Sequence, residues 1–449
     1  MPADDPEPTL IPHATCLACG CLCDDIRVTV DRGRVVGADR ACAVGLPWFL
    51  ADHPGEGHPA VLVEGRAVSL DEALDRASAI LSQARSPVVW GLTRSSVEAV
   101  AVGLALADRI GAMVDLDGSV GRADHRAAFV RVGEVSATLG EVKDRAEVVL
   151  FWGGHPDATH PRHAERYSVQ PPGRFLAGDR TVIVVDVGPA HPPSGTADVR
   201  VPLAPDLQGE ALRVLLALSH GVALDPARVE RATGQPLAVW ADLIRRFGAA
   251  RYAAICFGPA TGSLGVTGWD AALTLVIALN RDGRRCVGLP LGEPGNVAGA
   301  EAVLTWQAGA PSHLDFGSAA PRHLPLEASL ADRLKSGEAD AVLAVGADPL
   351  ASLPPDALAR LGVIPWIHVS PGACRESVPI PSVAIDVGRL GIEAGGTVGR
   401  VDGVMLPLRP PLLGPRPTDG AILAAILDRL GGPETLSPAR SAATSSGPL

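Results

Sequence analysis

No apolar run in the sequence approaches the roughly 18 residues that a membrane-spanning helix needs. The opening MPADDPEPTLIPHAT has no basic segment followed by an apolar core, so no secretory leader is read there. Lysine is nearly missing: Lys143 and Lys335 are the only two, and arginine supplies the rest of the positive charge. Aromatic residues make up 4% of the chain and the net charge is −11, which removes both the basic stripe and the stacking platforms of a nucleic-acid binder. Together these absences imply a soluble, cytoplasmic protein with neither nucleic acid nor membrane as partner. In a reducing compartment the dense cluster among its eight cysteines points to metal or redox chemistry and away from a disulfide framework, while Cys256, Cys286 and Cys374 are scattered singly.

The 449 residues allow two to four domains. Past residue 60, β-rich apolar runs alternate with amphipathic stretches, the pattern of parallel sheets covered by helices on both faces. Strands are predicted within 86–93, 146–154, 180–188, 252–258, 284–290, 339–349, 366–370 and 382–388, several ending in Gly, Asp or Pro. Helices are predicted over 69–81 and 97–110, each opened by a capping box (Ser69 with Glu72, Ser95 with Glu98), the second stopped by Gly111. In open α/β sheets ligands bind beyond the C-terminal strand ends, so those loops are the first candidates for a site. The fold class is α/β.

Four of the cysteines crowd into CLACGCLCDD, residues 16–25. Cys16, Cys19, Cys23 and the distant Cys42 form a C-x2-C-x3-C-x18-C array, with Cys21 as an additional thiol. Three close thiolates and a remote fourth suit a cubane, which needs ligands from several directions. Structural zinc more often uses two separated pairs, and Cys42 has no near partner for a second pair. Spacing alone favours iron–sulfur and leaves zinc or uncoordinated thiols as alternatives.

The segments CLACGCLCDDI and ACAVG, together with TLGEVKDRAEVVLFWGGHPDATHPRHAERYS (138–168), GNVAGAEAVLTWQAGAPSHLDFG (295–317) and EAGGTVGRVDGVMLPLRP (393–410), resemble the B subunit of formylmethanofuran dehydrogenase and its bacterial counterpart in the formyltransferase/hydrolase complex. The resemblance spans about residues 16–410. It implies doubly wound parallel-sheet domains of the molybdopterin-oxidoreductase type behind a small N-terminal cysteine-cluster domain. The expected division is 1–60 for the cluster domain, 61–410 for two interleaved α/β domains, 411–430 for a terminal helix and 431–449 for a disordered tail. By the same resemblance Cys16, Cys19, Cys23 and Cys42 hold a [4Fe–4S] cluster, while Cys21 is a small buried residue.

Metal-dependent members carry a cysteine or selenocysteine ligand to tungsten or molybdenum in a loop upstream of LGEVK. The matching stretch here is DLDGSVGRADH, 115–125, with Gly121 in the ligand's place and Arg122 where a histidine belongs. Glycine offers no donor, and only a remodelled loop would bring Asp117, Ser119, Asp124 or His125 to a metal. The plain reading of Gly121 is a tight turn. His155, His160 and His163 invite a zinc site, but Pro156 and Pro161 break the helix that would align them, which leaves a solvated, hydrogen-bonded loop. Gly153, His160, Arg162, Asp186 and Asn296 are candidates for a vestigial pterin-dinucleotide cleft. Asp206 is a further candidate, equally read as a helix N-cap.

The implied function is a non-redox B subunit of a formyltransferase/hydrolase complex in tetrahydromethanopterin- and methanofuran-linked one-carbon metabolism. It would have no catalytic residue of its own and no molybdopterin or tungstopterin. Its partners would be an amidohydrolase-like A subunit, a C subunit and a formyltransferase D subunit. The alternative is the catalytic B subunit of a tungsten or molybdenum formylmethanofuran dehydrogenase. A stand-alone electron carrier is weaker, since it would leave most of the scaffold without purpose. The sequence also stops where larger single-chain relatives would continue into a β-barrel domain, from which an obligate hetero-oligomer is expected, with an interface above about 2,000 Å².

Overall fold

The structure is a computed structural model describing residues 7–51, 60–118, 120–188, 195–324, 329–375, 379–412 and 414–431. Strands form where apolar, β-branched runs predict them. Pro87–Gly91, Val148–Trp152 and Trp366–Ser370 are buried at every position, as strands covered on both faces must be. Between strands, Val97–Ile110 shows why the chain coils. Val100, Gly103, Leu104 and Ala107 recur at helical spacing and are all buried, and Gly111 at φ 68° ends the helix in the left-handed region. The cap is Ser96, whose hydroxyl accepts from the Ala99 amide, and not the expected Ser95. Glu98 does not close a box there; it accepts from the amide and hydroxyl of Thr397 at 2.9 and 2.6 Å. Ser69 caps Leu70–Gln83 as expected, accepting from the Glu72 amide.

Five parallel strands, all from residues 148–290, form one sheet in the spatial order Val199–Leu203, Thr181–Val187, Val148–Trp152, Tyr252–Phe257, Arg285–Pro290. A nine-stranded sheet has the parallel centre Met113–Asp115, Pro87–Gly91, Ala341–Val345, Trp366–Ser370, Val383–Asp386. Antiparallel edges close it: Leu314–Asp315 with Arg322–His323 on one side, Val61–Val63 with Arg66–Ala67 on the other. The smaller sheet is thus an insertion in sequence between strands of the larger. Alternate residues of one strand enter different cores. Val89 packs in the cluster that holds Leu104, while Val88 and Trp90 pack with Leu334. Both sheets are therefore doubly wound. Strand order reverses between Val148–Trp152 and Tyr252–Phe257 in one, and between Pro87–Gly91 and Ala341–Val345 in the other.

Ahead of both lies an antiparallel sheet that the sequence did not announce: Thr9–Ala14, Ile26–Asp31 and Arg34–Asp39. The cysteine loop connects its first two strands. Near the C-terminus Asp419–Arg429 forms the expected helix, capped by Thr418. Apart from Gly431, the expected tail 431–449 lies outside the described residues. No helix among the described residues is long and apolar enough to cross a membrane.

Candidate functional site

Cys16, Cys19, Cys21, Cys23 and Cys42 all line one small cavity, together with Ala18, Ile26, Ala41 and Arg162. The loop folds back on itself through the Cys16 amide, which donates to the Cys23 carbonyl at 2.9 Å. Cys42 arrives from the start of the short helix Gly45–Leu50. Gly45 permits that approach: a Cβ there would sit 3.0 Å from Cys16 Sγ and 3.7 Å from Cys42 Sγ. Burial pushes the Cys16 thiol up, and Cys23 also, though Arg166 and Arg162 oppose this at Cys23. Hydrogen bonding from Cys21 lowers Cys19. An all-sulfur donor set around a shared cavity fits the ligand chemistry of an iron–sulfur cubane.

Arg162 was expected in a dinucleotide cleft, but the fold puts it in the wall of the cysteine cavity. Asp25, directly behind the cysteine run, holds its guanidinium through two bonds of 2.6 and 2.8 Å. Arg166 joins the same carboxylate at 3.1 Å and reaches Asp24 at 3.4 Å. Two guanidinium groups therefore stand beside the cysteines, each already paired with an aspartate of the same loop. The Asp24–Asp25 pair following Cys23 was the available sequence signal.

The stretch read as a loop around Gly121 is helical. Val120–Val132 is one helix, so Gly121 falls in its first turn and the expected tight turn does not form. Ser119 lies outside the described residues. Arg122 is buried and binds Glu301 through Nε at 2.7 Å and through Nη2; Arg126 Nε binds the same carboxylate at 2.6 Å. Burial alone would raise the Glu301 carboxyl, yet the two arginines hold it down to about 2. Arg122 also borders a narrow crevice shared with Gly20 of the cysteine loop, Gly292–Glu293 and Val297–Ala298. Where the resemblance places a metal ligand and a histidine, this chain has a residue without a donor and an internally paired cation. These residues do not fit a tungsten or molybdenum centre. Glu301 escaped the sequence reading, although a lone charge in the otherwise apolar helix Val297–Ala308 was a usable sign.

The histidine segment is buried, not solvated. Pro161 opens the helical turn Pro161–His163 at its first position, where proline is tolerated, and a π turn, Ala164–Ser168, follows. His155 Nδ1 meets Asp157 at 3.0 Å, His160 Nε2 meets the Gly292 carbonyl at 3.0 Å, and His163 Nδ1 meets the Ser168 hydroxyl at 2.8 Å. Burial pushes His160 down to about 4 and His163 down to about 3, so both rings are neutral at pH 7. Gly153, at φ 96°, makes the turn after Val148–Trp152. Asp186 is taken by Arg200 at 3.1 Å. Asp206 is exposed in the turn Pro205–Leu207 and caps no helix. Asn296 is fully buried. Its side chain donates to the Ser95 carbonyl at 2.8 Å and accepts from the Gly399 amide at 2.7 Å, so it is a strut tying three segments together.

None of those five cleft candidates lines the larger cleft, about 450 Å³, which opens instead beside the strand-order reversal of the nine-stranded sheet. Arg94, Asp348, Ser370, Arg389 and Asp419 lie in its wall, with Trp48 stacked 4.9 Å from the Arg389 guanidinium. The cysteine loop adds Leu17. A ligand at that sheet is expected there on topological grounds.

No protein-family model matches the sequence. The chain is 31% identical over 422 residues to the B subunit of the tungsten-containing formylmethanofuran dehydrogenase 2 of Methanocaldococcus jannaschii, covering 89% of this chain and 93% of that protein. It is 29% identical over 340 residues to the B subunit of the formyltransferase/hydrolase complex Fhc of Methylorubrum extorquens, covering 76% and 88%. Among solved structures, it superposes on a chain of the formyltransferase/hydrolase complex (FhcABCD) of Methylorubrum extorquens, crystallised with methylofuran, at a TM-score of 0.68 and 26% identity, covering 83% and 98%. Acetylene hydratase from Pelobacter acetylenicus shares the fold at a TM-score of 0.63 and 11% identity, covering 94% and 69%.

Proposed function

The chain belongs to the family of formylmethanofuran dehydrogenase B subunits, and from that premise we propose that it is the non-redox B subunit of a formyltransferase/hydrolase complex in tetrahydromethanopterin- and methanofuran-linked one-carbon metabolism. Its fold is the α/β, doubly wound molybdopterin-oxidoreductase type. One observation carries the reading: the buried Arg122–Glu301–Arg126 cluster beside Gly121, in the stretch that matches the metal-ligating loop of redox members. A cation already paired by its own fold is a poor replacement for a soft anionic ligand. In this role the chain supplies shape and contacts and holds no tungsto- or molybdopterin. Formyl transfer to a methanofuran-like carrier belongs to the D subunit and hydrolysis of the formyl amide to the A subunit, with the C subunit completing a cytoplasmic hetero-oligomer. A [4Fe–4S] cluster on Cys16, Cys19, Cys23 and Cys42 would be a retained structural or electron-holding group.

A second reading, the catalytic B subunit of a tungsten or molybdenum dehydrogenase, is favoured by the broader match to the tungsten-containing relative, 89% of the chain against 76%. Metal analysis and dye reduction separate the two. The proposal expects substoichiometric molybdenum and tungsten in the purified complex and no formate-dependent dye reduction. Dye reduction by formate, lost when molybdate and tungstate are withheld from the culture, would overturn it.

A further inference from the structure

A cubane takes four thiolates, and the cysteine cavity is lined by five thiols. Cys21 is the one in excess, and the fold fixes its place closely. The Leu22 amide donates to the Cys19 carbonyl at 3.3 Å, which closes a turn with Gly20 and Cys21 at its centre. Gly20 anchors that turn against the body of the protein. A Cβ there would stand 2.6 Å from the Leu291 carbonyl oxygen, and the Gly20 carbonyl accepts from the Val401 amide at 3.3 Å. Leu22 follows at φ 40° and is 1% exposed, so the far side of the turn is buried as well. Cys21, itself 1% exposed, therefore cannot swing out to solvent. Its thiol is hydrogen-bonded to Cys19, a member of the C-x2-C-x3-C-x18-C array.

Two thiols can hydrogen-bond either way round, and the ligand role settles the direction. A cysteine that binds iron does so as the thiolate and has no proton to give. Cys21 binds none, and a thiol buried among other cysteines keeps its proton. The S–H group is a weak donor, but the sulfur it meets becomes a negatively charged acceptor once iron is bound. Cys19 and Cys23 differ in this respect. Cys23 has the Arg166 guanidinium beside it, whereas at Cys19 the neighbour that favours the thiolate is Cys21, through both its side chain and its backbone amide. Reduction adds negative charge to a cluster and its sulfurs. A donor to a ligand sulfur therefore stabilises the reduced state more than the oxidised one, which is how hydrogen bonds to the sulfurs set a cluster's potential.

We propose that Cys21 is a positioning residue for an iron–sulfur cluster on the other four cysteines: its S–H donates to the Cys19 sulfur and raises the cluster's reduction potential. The inference rests on the iron–sulfur reading of the cavity and holds with or without a pterin in the subunit. The test is a dithionite redox titration of the anaerobically purified complex, first analysed for iron and followed by EPR through the signal that Cys19→Ser removes. Cys21→Ala keeps the four ligands and loses the donor. It should retain the irons, with the reduction equilibrium about threefold to tenfold less favourable, a potential about 30–59 mV lower for one electron. Cys21→Ser is close to alanine in bulk but brings an O–H donor, so it should recover most of that fall, which lost packing alone would not allow. Cys21→Val carries the comparison if Cys21→Ala takes up no iron. Absence of iron from the wild-type chain would overturn the cluster reading and this inference with it. Iron present with equal potentials in the wild type, alanine and serine proteins, or iron lost from both Cys21→Ala and Cys21→Val, would overturn the role of Cys21 alone.

Discussion

Replacing Glu301 by glutamine removes one charge from a buried cluster of three. Its carboxylate receives Arg122 Nε at 2.7 Å, Arg122 Nη2 and Arg126 Nε at 2.6 Å, with 12% of the side chain exposed. The two arginines hold the carboxyl at about 2 against an ordinary 4.5. At about 1.4 kcal/mol per pH unit that difference amounts to about 3 kcal/mol of stability. Breaking a buried ion pair from one side costs about 3–5 kcal/mol by a separate route, since an uncompensated cation stays behind. Glu301→Gln should therefore lower the unfolding free energy by about 3–5 kcal/mol at pH 7, measured by denaturant titration. Because the folded carboxyl is depressed, this contribution is complete above about pH 4.5 and lost as pH falls toward 2, so wild type and variant should converge in acid. Replacing all three, with Glu301→Leu, Arg122→Met and Arg126→Met, should cost far less than Glu301→Gln alone, because no unpaired charge remains. A Glu301→Gln protein within about 0.5 kcal/mol of wild type at pH 7, with a parallel pH profile, would refute the account of this cluster.

Glu134 should show the opposite pH behaviour: its carboxyl is raised to about 7, so its burial penalty is absent below about pH 4.5 and grows as pH rises through 7. Glu134→Gln should thus gain up to about 3 kcal/mol over wild type at pH 8 and nothing at pH 4 by the same titration. Protein purified anaerobically should contain about four irons per chain; Cys19→Ser should abolish them and Cys21→Ser should leave them, whereas stoichiometric zinc without iron would leave only a structural clip. Gly20→Ala would put a Cβ 2.6 Å from the Leu291 carbonyl oxygen and 2.7 Å from Gly292 Cα. Since both neighbours are backbone, it should cost about 1–3 kcal/mol and lower iron content by undocking the cysteine loop; unchanged melting and iron would show that the loop is not seated there.

Local pattern alone sufficed for most of the architecture. Buried apolar runs marked the principal strands, helical spacing with Gly111 bounded Val97–Ile110, and C-x2-C-x3-C-x18-C marked the thiols that share one cavity. Those signals lie within a few residues of one another, where period, cap chemistry and spacing act directly. The strands Leu314–Asp315 and Arg66–Ala67 are too short to show a period, and Thr9–Ala14 is largely exposed, so neither kind carried an apolar signature. The site itself depended on the tertiary structure. Arg162 reaches Asp25 across 137 residues and Arg122 reaches Glu301 across 179, and a side chain's charge does not name its distant partner. The sequence determined that Gly121 has no side-chain donor for a metal, while only folding decided that a buried ion cluster stands beside it. The same holds for Asn296, whose buried bonds to Ser95 and Gly399 turn a presumed cleft residue into part of the frame. Parallel strands are paired by long crossovers, so which charges and polar atoms meet at their ends is fixed by strand order, a property of the folded sheet and not of any local stretch of chain.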